Sequence, residues 1–379
     1  MRKHVSKTDK VLCGFSYAES RWARLGPYYA MFPMEFACNV ISEYSKQGDF
    51  VLDPFAGRGS STYAAAVLAR KTHGVEINPV GWLYSAVKLC PAPKKDVMHR
   101  LNELIELSSQ YSEEASSMEK FYTSCFSSSV LCFLLAARRE LDWKAKNIDS
   151  TLMAIILHYL HGKRGSSLSN QMPMAKSTSM QYSIEWWNSK GYHIPPDIDV
   201  RVFFTSRINW RYSKGRVDYS NRGRVVLSDS TIELKLLNNK LTESNTKIDL
   251  LFTSPPYYGV TNYHVDQWLR LWMLGGPDKP TVLPEKHKGR FNSKPDYEIL
   301  LDVVFGESAK MLSSKGVVYV RTDYREFTLE TTKRVLRKHF PDHRMSESID
   351  FCTSKSQTEL LNNTTEKVCE VDLVLQPKK

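Results

Sequence analysis

Three acidic residues stand where short apolar runs end. "DFVLDP" closes on Asp53, "HGVEIN" on Glu76 and "VVLSDS" on Asp229, and each run has the length and composition of a buried strand. Between the first two lies "VLDPFAGRGSS", whose Gly57 and Gly59 make a turn into the helical pattern "STYAAAVLAR". In an open parallel sheet a ligand sits off the carboxyl ends of the strands, where glycines let the backbone approach it closely. A carboxylate at Glu76 suits the two hydroxyls of a ribose, and one at Asp229 suits an adenine amino group. The sequence has neither the third glycine of a dinucleotide fingerprint nor the G-K-[ST] of a P-loop at this turn, and Asp53 would repel phosphates. A nucleoside without phosphates is therefore the expected guest. The same G-x-G spacing also fits a plain tight turn between strand and helix, so the glycines alone leave both readings open.

A fourth apolar run, "KIDLLF", ends in "TSPPYYG", residues 253–259. Prolines fix φ and remove backbone donors, so Pro255 and Pro256 make a stiff turn that presents carbonyls beside Ser254 and Tyr257. Taken alone, such a turn reads as a kinked strand end with a buried ring.

The elements that must position these residues alternate from about residue 35. A helical "EFACNVISEYSKQ" precedes the first strand, and the strand–helix rhythm of βα units on a parallel sheet follows. The rhythm breaks at "CPAPKKD" and gives way to long helical patterns such as "VMHRLNELIELSSQ" and "STLMAIILHYLHG". A polar Gly/Ser/Pro-rich stretch from "GKRGSSLSNQMPMAKSTS" to "GYHIPPDIDV" comes next. Strand patterns resume at 223 and end in a pair of closing strands, "RMSESIDF" and "VCEVDLVLQ". The expected map is one α/β domain in two parts, 1–90 and 223–379, split by an inserted helical and basic region, 91–222.

Composition bounds the function. At 379 residues and 42% apolar the chain can bury a large core. Its longest apolar runs are too short to cross a bilayer, and "MRKHVSKTDK" is not followed by a signal-type apolar segment, so a cytoplasmic protein without membrane contact is expected. Seven cysteines without a C-x-x-C pair favour neither a disulfide framework nor a metal site. A net charge of +11 suggests a polyanionic partner.

"DPFAGRGSS" resembles the "DPFxGxGT" motif of S-adenosylmethionine-dependent methyltransferases, and "TSPPYYG" resembles the "(S/N/D)PPY" motif of their DNA amino-methylating branch, which acts on N4 of cytosine or N6 of adenine. The two motifs together are far more specific than either alone. The flanks "GPYYAMFPMEFACNVISEYSKQGD" and "LLDVVFGESAKMLSSKGVVYVRTDY" are similar to that family as well. The resemblance implies a Rossmann-like class I methyltransferase fold, an α/β structure with a mostly parallel seven-stranded sheet containing one antiparallel strand. It implies S-adenosylmethionine over strands one to three, held by Asp53, Pro54, Phe55, Gly57, Gly59, Glu76, Asp229 and Thr253, and the target base beside strand four. The glycine motif precedes the SPPY motif here, the reverse of many SPPY enzymes, and a sheet cut at another loop accounts for that.

The implied chemistry follows from the target. An exocyclic amine is a poor nucleophile because its lone pair is delocalised into the ring. Hydrogen bonds accepted from both amine protons by Ser254 Oγ and the Pro255 carbonyl would draw the nitrogen toward tetrahedral geometry, with Pro256 holding the turn stiff. Tyr257 would stack on a base turned out of the duplex. Serine at the first position favours N4-cytosine, with N6-adenine the alternative.

The implied partner is double-stranded DNA, with a cognate restriction endonuclease acting separately. Residues 161–225 hold 11 Lys and Arg against 4 Asp and Glu, a local net of +7. "HGKRGSSLSNQMPMAKS" is expected as a flexible loop that orders on DNA, with Lys163, Arg164 and Lys176 on phosphates and Arg207, Arg211 and Tyr258 as further DNA contacts. The competing reading is a solvated polar face over a helical subdomain whose tryptophans are core. An RNA or protein amide N-methyltransferase, and a non-catalytic DNA-binding module on a methyltransferase shell, remain rival functions.

Overall fold

The computed structural model describes residues 11–27, 32–259, 263–280, 293–350 and 370–378. Strands β1 (Phe50–Asp53), β2 (Lys71–Glu76), β3 (Gly223–Leu227), β4 (Ile248–Thr253), β5 (Leu312–Asp323), β6 (His343–Asp350) and β7 (Glu370–Pro377) form one sheet. Their order is β3-β2-β1-β4-β5-β7-β6. The first five run parallel, and β7 lies antiparallel to both of its neighbours. This is the α/β sheet that the resemblance implies, with its single reversed strand. The chain leaves β1 toward β2 and β3 on one side and returns on the other through β4 and β5, so β1 and β4 flank the point where the strand order reverses.

Central parallel strands are covered on both faces and must be apolar on both. Leu251 turns to a core shared with Leu52, Leu234, Leu237, Leu301 and Val304. Its neighbour Phe252 faces the other way and stacks on Phe32 at 4.7 Å. Successive strand residues alternate in this manner, so one short run serves two cores. The closing strands fall where expected, although Phe351, Val368 and Cys369 of the quoted patterns lie outside the described residues, as do 1–10 and 281–292.

The chain divides into two compact units. The sheet unit takes residues 29–85, 219–262 and 283–379, and the other takes 1–28, 86–218 and 263–282. The second is helical, built on Lys94–Leu107, Ser128–Glu140, Asn147–Tyr159, Met180–Ser189 and Val200–Tyr212 among others. Met180–Ser189 sits inside the stretch whose sequence read as polar loop, because only Ser183 and Trp187 of its ten residues are buried.

The flexible loop expected at 161–177 is a correction. The segment and its approach are tied at several points to residues distant in sequence. Arg270, fully buried, donates to the carbonyls of Leu157 at 3.1 Å and Met174 at 2.7 Å. Gln267 Nε2 donates to the Ala175 carbonyl at 2.9 Å, and the Trp187 indole donates to the Gln171 carbonyl at 2.6 Å. Asn170 Nδ2 donates to the Tyr192 carbonyl at 2.8 Å. A segment tied by this many tertiary hydrogen bonds is ordered without a ligand. Replacing Arg270 with Met removes a donor from both carbonyls, at roughly 1–3 kcal/mol for the buried bond to Leu157. Amide exchange across 161–178 should then quicken by at least about tenfold, and an unchanged exchange pattern would contradict the pinning.

Candidate active site at the carboxyl edge of the sheet

The parallel strands deliver a row of polar side chains to one edge. Asp53 ends β1, Glu76 ends β2, Asp229 follows β3, Thr253 ends β4 and Asp323 ends β5. The first and fourth meet: Thr253 Oγ1 donates to Asp53 Oδ1 at 2.6 Å. The same oxygen accepts from the Phe55 amide at 3.0 Å, and Oδ2 accepts from the Ser61 hydroxyl. Asp53 is thus bonded to the turn that follows it, to the helix Ser60–Val67 and to β4. It is fully buried, and burial pushes its carboxyl up to about 6 although all three hydrogen bonds pull the other way.

Glu76 braces the glycine turn. Its Oε2 accepts from the Gly57 amide at 2.6 Å and its Oε1 from the Asn78 amide at 2.7 Å. Burial, assisted by the Asp53 charge and opposed by these amides, raises its carboxyl to about 7. Gly57 and Gly59 both have positive φ, at 54° and 75°. A Cβ at Gly59 would also stand 2.8 Å from the Ser85 side chain, so the turn needs glycine there twice over. Gly81 is packed as closely, since its Cβ would lie 2.8 Å from the Gly57 carbonyl.

Asp229 caps the helix Ser230–Glu243, its Oδ1 accepting from Thr231 N at 2.9 Å and Thr231 Oγ1 at 2.8 Å. Ser230 Oγ donates to the Pro54 carbonyl, which ties the β3 end to the glycine turn. Phe55 is half-buried against the apolar core of the unit. Ile77, between Glu76 and Asn78, leaves apolar surface exposed at the same edge.

Beyond Thr253 the chain enters Ser254, half-buried, then Pro255, buried, and Pro256. Tyr257 is only 8% exposed, and its hydroxyl donates to Glu370 Oε1 at 3.3 Å. Glu370 Oε2 accepts from Arg321 Nη1 at 2.9 Å, and Asp372 takes Nε and Nη2 of the same guanidinium at 2.7 and 2.6 Å. The guanidinium also lies 3.6 Å from the ring centroid of Phe36. Burial pushes the Tyr257 phenol well up, the Glu370 charge adds to it, and a hydrogen bond with Ser254 pulls part of the way back. This ion-pair network was not visible in the sequence, because Arg321, Glu370 and Asp372 sit on strands that meet only through antiparallel pairing. Ser61 and Asn78 were missed for a simpler reason: short polar residues after a turn carry no spacing signal.

Tyr258, expected on DNA, packs inward instead, 4.9 Å from Phe327 and 5.9 Å from Tyr297 between centroids. Arg211 is a second correction. It is 1% exposed, donates to the Arg21 carbonyl at 2.8 Å and lies 5.5 Å from the Trp22 ring, so it holds the helical unit together from within. Arg207 lies 3.3 Å from the Phe203 centroid, and Lys176 pairs with Asp266 at 3.6 Å. Arg164 bonds Asn170 at 2.7 Å and lies 5.1 Å over Tyr192, while Lys163 is exposed. Among the described residues no cluster of three His, Cys, Asp or Glu could hold a metal, and no helix is long and apolar enough to cross a membrane.

Residues 3–81 match the family model described as DNA methylase. That stretch carries β1, the glycine turn and β2, while Ser254 lies outside it. A curated relative, "Type II methyltransferase M.MthZI" of Methanothermobacter thermautotrophicus, is 38% identical over 80 residues, 20% of this chain. The match spans only 22% of that relative's length. Among solved structures, TrmN from Thermus thermophilus is similar at 10% identity and a TM-score of 0.36, covering 96% of this chain and 53% of that one. The rRNA methyltransferase aviRa from Streptomyces viridochromogenes is similar at 12% identity and a TM-score of 0.32, covering 93% and 89%.

The raised carboxyls set a pH dependence. Glu76 binds its proton more tightly folded than unfolded, so its contribution to stability is fully present below about 4.5 and is lost as pH rises through about 7. Glu76→Gln removes that loss. Between pH 5 and pH 8 the unfolding free energy of the variant should gain on the wild type by up to about 3 kcal/mol. Parallel stability curves in urea at the two pH values would show the carboxyl to be ionised throughout.

Proposed function

We propose that the protein is a DNA amino-methyltransferase that transfers a methyl group from S-adenosylmethionine to N4 of cytosine in double-stranded DNA, with the base turned out of the duplex. The observation that carries this is the hydrogen bond between Asp53 and Thr253, which joins the glycine turn and the SPPY turn at the reversal point of the sheet. The match of residues 3–81 to a DNA methylase family model and the likeness to a Type II methyltransferase support DNA as the substrate.

The residues present fit the cofactor. A carboxylate at Glu76, glycines at a closely packed turn and an exposed Ile77 suit a ribose and a flat base, and an acidic edge suits a ligand whose reactive group is a sulfonium cation. When bound, the cofactor supplies an electrophilic methyl group. Glu76, with both oxygens fixed by amides, presents its remaining lone pairs in a set direction toward the ribose hydroxyls. Gly57, Gly59, Pro54, Phe55, Asp229 and Thr253 shape the crevice, and Asp53 acts through Thr253 and Ser61 to fix its floor. Ser254 Oγ and the Pro255 carbonyl accept the two amine protons and align the nitrogen lone pair. Proline at 255 and 256 limits the movement of these acceptors, which lowers the cost of alignment. The methylated amine loses its proton readily, so no general base is assigned.

Serine at 254 favours cytosine over adenine, and N6-adenine methylation is the second reading. Nucleoside mass spectrometry of unmethylated plasmid incubated with the protein and labelled cofactor separates them. N4-methylcytosine is expected; N6-methyladenine moves the target to the second reading, and unlabelled DNA rejects both.

The helical unit is the proposed DNA-reading part, and Lys163 and Arg164 its nearest candidates for phosphate contact. Replacing both with Ala should make the dependence of log affinity on log salt shallower by roughly 2 for a duplex. An unchanged slope would remove these two residues from the interface. Pairing with a restriction endonuclease that cuts the same site is part of this reading.

A further inference from the structure

We infer that Tyr324 supplies the open aromatic face on which the target base stacks. The inference rests on the proposed methylation of an extruded base. It arises because neither tyrosine of the SPPY segment offers an open ring. Tyr257 is 8% exposed and bound through its hydroxyl to Glu370, and Tyr258 is packed on Phe327 and Tyr297.

The anchors of those two rings locate Tyr324. Glu370, which receives the Tyr257 hydroxyl, is the register partner of Asp323. Phe327, which receives the Tyr258 ring, is the second residue of the helix that follows, Glu326–His339. The SPPY segment therefore lies along residues 323–327, and Tyr324 occupies the turn between its two anchor points. There it is 54% exposed, although Thr322 and Asp323 beside it are fully buried.

The turn is held rigidly. Asp323 Oδ1 accepts from the Arg325 amide at 3.2 Å, and Oδ2 accepts from Arg325 Nε at 2.8 Å. The clamped backbone carries Tyr324 at the carboxyl edge of β5, next to β4, with more than half of its surface open to solvent. Stacking of a base on its ring is favourable for any base, because each has a flat π-surface. Its contribution would fall on capture of the extruded base and not on the cofactor, whose proposed residues, Thr253 at the end of β4 apart, lie at the ends of β1 to β3 on the other side of β4.

The test compares wild type, Tyr324→Ala and Tyr324→Phe for methyl incorporation into unmethylated plasmid, with calorimetric affinity for S-adenosylhomocysteine measured on each. Tyr324→Ala should lose at least about tenfold in kcat/KM for DNA, Tyr324→Phe should stay within about twofold of wild type, and all three should bind S-adenosylhomocysteine equally. An alanine variant within twofold of wild type overturns the inference while leaving the methyltransferase reading intact. Equal damage in both variants overturns it in favour of the hydroxyl. A loss of S-adenosylhomocysteine affinity in the alanine variant overturns it in favour of a structural role. Wild-type protein that binds S-adenosylhomocysteine but leaves plasmid unlabelled rejects the methyltransferase reading, and the inference with it.

Discussion

The site depends on one buried carboxylate. Asp53 receives a backbone amide from its own turn, a hydroxyl from the following helix and a hydroxyl from β4, so three separate parts of the chain share a single group. Such an arrangement is demanding because an ionised carboxylate excluded from water is costly unless its lone pairs are met by donors. Here they are met, and the shared group fixes the spacing between two turns that sequence separates widely. Glu76 repeats the device one strand away, with backbone amides as the donors. The sheet brings strand ends together, and these carboxylates set what the ends do.

Much of this was legible in residue types and spacing. The alternation of short apolar runs with helical patterns indicated a parallel sheet, because buried parallel strands and their covering helices leave opposite signatures. Asp53, Glu76, Asp229 and Thr253 were legible as strand ends for the same reason. The network of Arg321, Glu370 and Asp372 was not, since strand pairing between distant segments leaves no periodicity behind. The order in 161–178 was hidden similarly: a string of Gly, Ser and Pro reads as loose chain unless one knows that Arg270 and Gln267 reach it. Local composition reports what a segment lacks, and only the fold reports what is supplied to it from elsewhere.

Positive charge in the helical unit falls into two kinds. Arg211 and Arg270 are interior donors whose work is to satisfy carbonyls, and their guanidinium groups are closed to direct contact with a solvent-facing partner. Lys163 and Lys190 project to solvent, and Arg164 lies between these extremes. A count of Lys and Arg adds the kinds together, so the net charge of a segment overstates the charge of its surface. The guanidinium suits the interior task because its planar fork can serve several carbonyls at once.

The helical unit is assembled from three separated stretches of chain, the last of them 263–282. A ribosome delivers residues in order, so Arg270 and Gln267 are the last donors to reach the carbonyls of Met174 and Ala175. Those carbonyls remain hydrated and their segment unlocked until β4 and the SPPY turn have already been made. Completion of one unit is thereby timed by synthesis of the other, and a chain truncated before residue 263 would leave the helical unit exposed to proteolysis however well its own helices form.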